Sequence, residues 1–307
     1  MNELLPRNPN KLWTRMLLIT GSILIIVILY NKVNLSNSHE GFDQESKFII
    51  KSDLAIYDNF YVELYDKIYK PELQTNFIIE KVVNMTMPSI EKSVFLDIGS
   101  GTGTITNEIH KLGYQIYGID KSQGMVDYCL EKYPDLLIKC DDIMKPMIYD
   151  RNTFTHVLCT NMGIYYFQDK KAFFRNCYFI MKPNSYIILH LVDRNKFDPI
   201  IQAGKPVGID SQEYADIRIT NTVIDFTDFK YKASYDFSKT VQTVLTETLT
   251  DNLTHNVRQN ELTLYIENID DILKIAQANG FIVHGQVNML DCIGDKNQYM
   301  FVLERTL

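Results

Sequence analysis

A glycine-rich turn and a set of acidic residues between positions 94 and 143 could together bind a ligand. Asp97 ends the apolar run Val94–Leu96 and is followed by Gly99, Gly101 and Gly103. Glycine lets the backbone turn sharply and approach a ligand without a Cβ in the way. The segment therefore predicts a strand, a ligand-binding turn and then a helix.

The acid before the turn indicates which kind of ligand fits. A dinucleotide fold requires Gly-x-Gly-x-x-Gly, but Thr104 occupies the position of the third glycine. The carboxylate of Asp97 would also repel a pyrophosphate, whereas it suits a ligand with a positive end. The alternative for Asp97 is a cap on the following helix.

Acidic residues also follow the next two predicted strands. Asp120 stands where a carboxylate can accept hydrogen bonds from both hydroxyls of a ribose, although it could be an ordinary strand-end acid. Asp141 and Asp142 come after the third strand, where one carboxylate can accept from an adenine amino group. There Ile143 offers a backbone N–H and an apolar wall, and Met125 can pack on the adenine face.

In this order and spacing, the motifs resemble those of class I S-adenosylmethionine (SAM)-dependent methyltransferases. SAM fits the charge argument because it carries an amino group and a sulfonium but no phosphate. The resemblance covers about residues 55–192 well and 267–307 in outline. The chain departs from the family at Cys140, where glycine is usual, at Thr155, where aspartate is usual, and at Asn184-Ser185, where Gly-Gly is usual.

The residues and the resemblance together give a set of candidate site residues. The cofactor-binding candidates are Asp97, Gly99, Ser100, Gly101, Gly103, Asp120, Lys121, Met125, Asp141, Asp142, Ile143, Asn161, Tyr57 and Tyr61. The family implies a tyrosine of the N-terminal helix near the methyl donor, while the alternative for Tyr57 and Tyr61 is a core position. Of Asp141 and Asp142, the family favours Asp141 for adenine.

Candidates for catalysis lie after the fourth and fifth predicted strands. They are Tyr166, His190 and Asp193. Methyl transfer from SAM needs alignment and exclusion of water more than a strong base, so the family also contains members without a catalytic residue. The alternative for His190 is a hydrogen-bonded core histidine. No metal site is expected, because the 5 cysteines include no Cys-x-x-Cys pair.

The elements that must position these residues alternate between strand and helix, which predicts an α/β fold. The resemblance implies a Rossmann-like seven-stranded, mostly parallel sheet of order 3-2-1-4-5-7-6, with an antiparallel last strand and helices on both faces. The predicted segments are a tail at 1–11, a transmembrane helix at 12–30, a linker at 31–51, a SAM-binding core at 52–192, an antiparallel substrate lid at 193–266 and the end of the sheet at 267–307.

The composition and the N-terminus limit the partners. The 307 residues carry a net charge of −7, which excludes a general nucleic-acid coat. Met16–Tyr30 contains 15 residues without a charge, and extension to Leu12 gives 19 residues, a helix of about 28 Å. Such a helix can cross a lipid bilayer. The alternatives are a cleaved signal peptide and a buried core helix.

The side of the membrane on which the enzyme lies is left open by conflicting signals. Basic residues are denser before the predicted span than after it, which places the large domain across the membrane from the cytosol. Asn-x-Ser/Thr triplets at Asn34, Asn84 and Asn252 would permit glycosylation there. The cytosolic supply of SAM and the unpaired cysteines favour the cytosol instead.

These observations predict a membrane-anchored SAM-dependent methyltransferase whose acceptor is a small molecule, a lipid or a protein. SAM, a methyl acceptor and the lipid bilayer are the expected partners, and no nucleic acid is expected. Two alternatives stay open at this point: a membrane-anchored SAM-binding scaffold without catalysis, and a nucleotide-dependent oxidoreductase.

Overall fold

The computed structural model describes residues 13, 15–28, 42, 44, 46–205, 212–213 and 215–307. The chain divides into two compact units, Met1–Glu45 and Ser46–Leu307. The first unit contains helix α1, described at residues 13 and 15–28.

The described part of the second unit contains strands and helices that alternate as predicted through its first half. The strands are β1 (Phe48–Ser52), β2 (Val94–Ile98), β3 (Gln115–Asp120), β4 (Leu137–Cys140), β5 (Phe154–Cys159), β6 (Met181–Val192), β7 (Asn221–Asp225), β8 (Phe229–Asp236), β9 (Gln242–Asp251), β10 (Val257–Tyr265), β11 (Phe281–Asn288) and β12 (Gln298–Arg305). The helices are α2 (Asn59–Tyr69), α3 (Glu72–Thr86), α4 (Thr104–Lys111), α5 (Gln123–Lys132), α6 (Lys170–Ile180), α7 (Ile269–Ala278) and α8 (Leu290–Ile293).

Seven of the strands form the central sheet in the order β11-β12-β6-β5-β2-β3-β4. Counted from β2, this is the predicted order 3-2-1-4-5-7-6. Strand β12 is antiparallel to both of its neighbours, β6 and β11. The pairs from β6 to β4 are parallel. The prediction of a seven-stranded, mostly parallel sheet is therefore confirmed.

Both faces of this sheet are buried, which explains the continuous apolar runs in its strands. On one face Phe95 and Ile188 pack in a core with Ile78 of α3 and Ile105 of α4. Neighbouring residues in a strand point to opposite faces. Leu189, which follows Ile188, is also fully buried.

A second sheet has the order β1-β10-β9-β8-β7. Strands β7–β10 follow one another as antiparallel neighbours, as expected for the insert after the fifth core strand. Strand β1 pairs in parallel with β10, beginning with Phe48 opposite Val257. This strand lies mostly where the sequence predicts a linker. The sequence does not reveal it because its pairing partner is distant in the chain and its own apolar pattern is short.

The transmembrane helix predicted at 12–30 includes positions 12, 14, 29 and 30, which lie outside the described residues. Its described positions 13 and 15–28 are helical. Within the part of the chain that the structure describes, no helix is both long enough and apolar enough to cross a membrane.

Candidate active site

The glycine-rich turn leaves open space at the carboxyl end of β2. Gly99 and Gly101 have φ of +69° and +52°, a region that side chains with a Cβ rarely adopt. A Cβ built on Gly99 would meet nothing within 4 Å, and one on Gly101 would meet only the Gly99 carbonyl oxygen at 3.9 Å. The backbone here can therefore approach a ligand closely.

Asp97, the residue before this turn, is a buried carboxylate with 3% exposure. One carboxylate oxygen accepts a hydrogen bond from Thr106 Oγ1 at 2.8 Å. Burial raises the pKa of Asp97 to about 7, the hydrogen bond from Thr106 lowers it, and the charge of Asp120 raises it. Because burial penalises its charge, this carboxylate would gain from pairing with a cationic ligand group.

Asp120, at the end of β3, fixes the same turn from the other side. Its Oδ2 accepts from the Gly101 N–H at 3.0 Å, and its Oδ1 accepts from the Ser122 N–H at 2.9 Å. Burial raises the pKa of Asp120, while these two backbone hydrogen bonds lower it. A carboxylate has about four acceptor positions, so each oxygen can still accept a ribose hydroxyl.

The adenine end of the predicted site lies against α5 and the loop after β4. Met125 and Ile143 are both buried there. Asp141 Oδ1 is 2.7 Å from Lys145 Nζ, and this hydrogen bond lowers the pKa of Asp141. Asp142 Oδ1 accepts from the Met144 N–H at 2.8 Å. Since Asp141 is held by a lysine, Asp142 is the more available acceptor, and the preference for Asp141 stays a prediction.

These elements line a cleft at the carboxyl ends of the parallel strands, where open α/β sheets bind ligands. The predicted residues that line it are Tyr57, Asp97, Gly99, Ser100, Gly101, Asp120, Lys121, Met125, Asp141, Asp142, Ile143, Asn161 and Tyr166. The structure thus brings together residues from five separate segments. Their contacts with a ligand stay predictions.

A second cavity adjoins the first. Four residues line both cavities, namely Tyr65, Pro71, Asn161 and Tyr166. The second cavity is also lined by His190, by Phe197, by the Asp198–Lys205 ion pair and by side chains of the insert strands such as Leu245. The two cavities therefore share a wall at the end of β5.

Two of the cofactor-binding candidates do not line the cleft, and their binding role stays a prediction. Tyr61 does not line the cleft, because it is buried and its hydroxyl donates to Glu247 Oε2 of the insert. Gly103 is also absent from the lining, since it serves packing: a Cβ there would stand 2.3 Å from Cys129 Sγ of α5.

The catalytic candidates separate in the same way. Tyr166 lines both cavities and His190 lines the second. Asp193 lines neither, because it forms a turn after β6, in which its Oδ1 accepts from the Asn195 N–H at 3.0 Å. Its catalytic role stays a prediction that the cavity lining does not support.

Sequence reasoning did not select Tyr65 and Gln74, which line the site from α2 and α3. Tyr65 follows Tyr57 and Tyr61 at four-residue spacing, so the signal was present but was interpreted as a core stripe. Gln74 carries no motif, and only the tertiary structure places it at the second cavity.

Comparison with known proteins identifies the domain. Residues 96–189 match a family model described as a methyltransferase domain. This part of the chain is a methyltransferase domain. The predicted enzyme class, a SAM-dependent methyltransferase, is thereby confirmed, and SAM is its cofactor. No curated protein sequence matches the chain.

Solved structures support the fold of this methyltransferase. A SAM-dependent methyltransferase from Clostridium acetobutylicum has 18% identity and a TM-score of 0.61, covering 81% of this chain and 99% of that chain. The CcbJ methyltransferase from Streptomyces caelestis has 13% identity and a TM-score of 0.62, covering 83% and 100%. The sugar N-methyltransferase KedS8 from Streptoalloteichus has 15% identity and a TM-score of 0.55, covering 80% and 92%. At these identities the likeness shows the fold.

Three features of the cleft fit SAM. Within the described structure, Ser100 Oγ is buried and has no hydrogen-bond partner, so a ligand can supply one. Gly99 and Gly101 leave space in front of the turn for the methionine part of the cofactor. The buried Asp97 carboxylate can hold its ammonium group, and Asp120 its ribose. The residues present therefore suit the cofactor that the family uses.

Proposed function

We propose that this methyltransferase methylates a small molecule held in the second cavity. The observation that carries the proposal is the shared wall of Tyr65, Pro71, Asn161 and Tyr166. A cofactor in the first cavity and an acceptor in the second would meet at this wall. Orientation of two reactants in this way can supply much of the barrier reduction that a methyl transfer needs.

SAM supplies an electrophilic methyl group when it is bound. The residues of the chain hold the two reactants in line and exclude water. Tyr166 lies at the shared wall, and burial raises its pKa to about 12. Tyr166 is therefore protonated at neutral pH and can orient a ligand through its hydroxyl, but it is a poor base there.

The lining of the second cavity favours a small acceptor over a protein or a lipid chain. Its apolar walls include Phe197 and Ile201 from the segment after β6, and Tyr235, Leu245 and Leu264 from the insert sheet. The insert thus closes the cavity as a lid. The structural neighbour KedS8 is a sugar N-methyltransferase, which is consistent with a small-molecule acceptor for this fold.

Attachment to a membrane is a separate proposal. We infer that residues 12–30 anchor the enzyme, with the catalytic domain on the cytosolic side where SAM is supplied. The support is the uncharged run Met16–Tyr30 and the exposure of apolar side chains in α1, for example 69% at Leu17. The full chain should stay with membranes after carbonate extraction, and a chain beginning at Ser46 should not. Recovery of the full chain in the supernatant would exclude the anchor.

The small-molecule proposal is tested with SAM that carries a tritiated methyl group and a cell extract separated by molecular mass. We expect label in the low-mass fraction with the parent enzyme. Leu245→Trp, which fills the second cavity, should remove this labelling while calorimetry shows unchanged SAM affinity. Label confined to proteins or lipids would contradict the proposal. SAM binding without any transfer would favour the scaffold alternative.

A further inference from the structure

His190 lies at the carboxyl end of β6 with one ring nitrogen bonded and the other free of any partner. Its side chain lines the second cavity and is 3% exposed. Nε2 lies 2.8 Å from Gln298 Oε1. Nδ1 is buried and has no hydrogen-bond partner within the described structure. A buried polar atom without a partner costs free energy, so a ligand group that donates a hydrogen bond to Nδ1 would be stabilised there.

The hydrogen bonds around Gln298 decide which nitrogen of His190 carries the proton. Gln298 Nε2 donates to Asp295 Oδ2 at 2.8 Å and lies 3.5 Å from the Asp198 carbonyl oxygen. Both of these atoms accept hydrogen bonds, so the amide nitrogen of Gln298 must be on that side. Its oxygen therefore faces His190, and Nε2 of the ring must be the donor.

A neutral imidazole with its proton on Nε2 has a bare lone pair on Nδ1. Burial lowers the pKa of His190 to about 4, so the ring stays neutral near pH 7. The second cavity also holds a second unpartnered acceptor, because Gln74 Oε1 is buried without a hydrogen-bond partner in the described chain. The cavity thus combines apolar walls with acceptors that need donors.

Resting on the proposed function, we propose that His190 Nδ1 accepts a hydrogen bond from an O–H or N–H group of the methyl acceptor. The Asp295–Gln298 pair is the positioning device, because it fixes the tautomer of His190. The acceptor class is then a compact molecule with an apolar face and at least one O–H or N–H donor. A molecule without such a donor would leave Nδ1 of His190 buried and without a hydrogen bond. His190 therefore disfavours molecules of that kind.

The tautomer is tested on the protein alone. In the enzyme labelled with ¹⁵N-histidine, the signals lost in His190→Leu identify the ring nitrogens of His190. We expect Nε2 to carry the proton and Nδ1 to be bare. Gln298→Leu should remove this preference, because it removes the acceptor of Nε2–H. A proton on Nδ1 in the parent enzyme would overturn the proposal.

The ligand preference is tested with para-cresol and its methyl ether, para-methylanisole, in the presence of S-adenosylhomocysteine. The two probes share an aromatic ring and differ in the O–H donor. We expect para-cresol to bind about tenfold more tightly and to shift the Nδ1 signal of His190. In His190→Leu the two probes should bind equally.

His156 provides the matched control for this test. It is a buried histidine in the neighbouring strand β5 that lines neither cavity, and Thr155 and Thr86 lie within hydrogen-bond distance of its two ring nitrogens. His156→Leu should keep the preference for para-cresol. Equal binding of both probes to the parent enzyme, no binding of para-cresol, or a preference that survives in His190→Leu would each overturn the proposal. The proposed function is judged separately, by SAM calorimetry and tritium transfer in the parent enzyme.

Discussion

The ionisation of Asp97 should make SAM affinity depend on pH. Its pKa in the folded protein is raised to about 7 by burial, from an ordinary value of 3.8. Below pH 7 most of the enzyme carries a neutral Asp97, which cannot pair with the ammonium group of SAM. The dissociation constant of SAM should therefore rise about tenfold for each pH unit below 7, to about 100-fold at pH 5.

The same shift has a consequence for stability, whose sign follows from proton binding. Between pH 3.8 and about 7 the folded protein keeps a proton on Asp97 that the unfolded chain has lost. The free energy of unfolding that this group contributes is thus fully present below the ordinary pKa and is lost as pH rises through about 7. At roughly 1.4 kcal/mol per unit, the loss is about 4 kcal/mol.

Calorimetric titration of SAM between about pH 5 and about pH 8 measures the effect on affinity. Asp97→Asn should bind SAM weakly at every pH and should lack the slope below 7. Asp193→Asn is the matched control, because Asp193 directly follows another strand of the same sheet, β6, but lines neither cavity. A flat dissociation constant in the parent enzyme, or the same slope in Asp97→Asn, would refute the assignment of Asp97 to the ammonium group.

Three further changes test the site and its support. Gly101→Val should weaken SAM binding at least about 100-fold by calorimetry without loss of the folded circular dichroism spectrum. Gly113→Val, at a φ of +86° outside the cleft, should leave SAM affinity unchanged. Asp120→Ala should weaken SAM binding by about 1.5–3 kcal/mol. The same substitution should weaken binding of a dideoxyribose analogue less, but still measurably, because Asp120 also accepts a hydrogen bond from the Gly101 N–H. Glu247→Leu should lower the free energy of unfolding by at least about 3 kcal/mol in urea titrations, since it leaves buried hydroxyl donors such as Tyr231 unpaired. Unchanged SAM affinity in Gly101→Val would contradict the first prediction. An equal loss for SAM and the analogue in Asp120→Ala would contradict the second, and an unchanged urea midpoint in Glu247→Leu would contradict the third.

The core sheet and much of the cofactor cleft could be predicted from the sequence because their signals are local. A strand, a turn with Gly99 and Gly101, and an acid after each of the next strands follow one another within a short stretch. Parallel strands bring their carboxyl ends to one edge, so local order translates into a common site. Gly103 shows the limit, since a motif does not tell which glycine faces the ligand and which faces a helix.

Features that depend on distant partners could not be predicted. Strand β1 forms only because β10, some two hundred positions later, offers an edge for parallel pairing. His190 and Asp193 stand close together in the sequence at the same strand end, yet only His190 reaches the second cavity. The partner that fixes the His190 tautomer, Gln298, comes from the last strand of the chain. No local pattern connects these residues.

The tyrosines on one face of α2 contact the insert sheet and also line the cavities beside the central sheet. Tyr61, Tyr65 and Tyr69 follow at four-residue spacing, and neighbouring ring centroids lie 6.3 Å and 4.7 Å apart. Tyr61 and Tyr69 donate to Glu247 of the insert, whereas Tyr65 lines both cavities. The hydrogen bonds to the insert and part of the wall between the two cavities are therefore built on one helix face. If the second cavity holds the acceptor as we propose, a shift of α2 would disturb both the contacts with the insert and the alignment that methyl transfer requires.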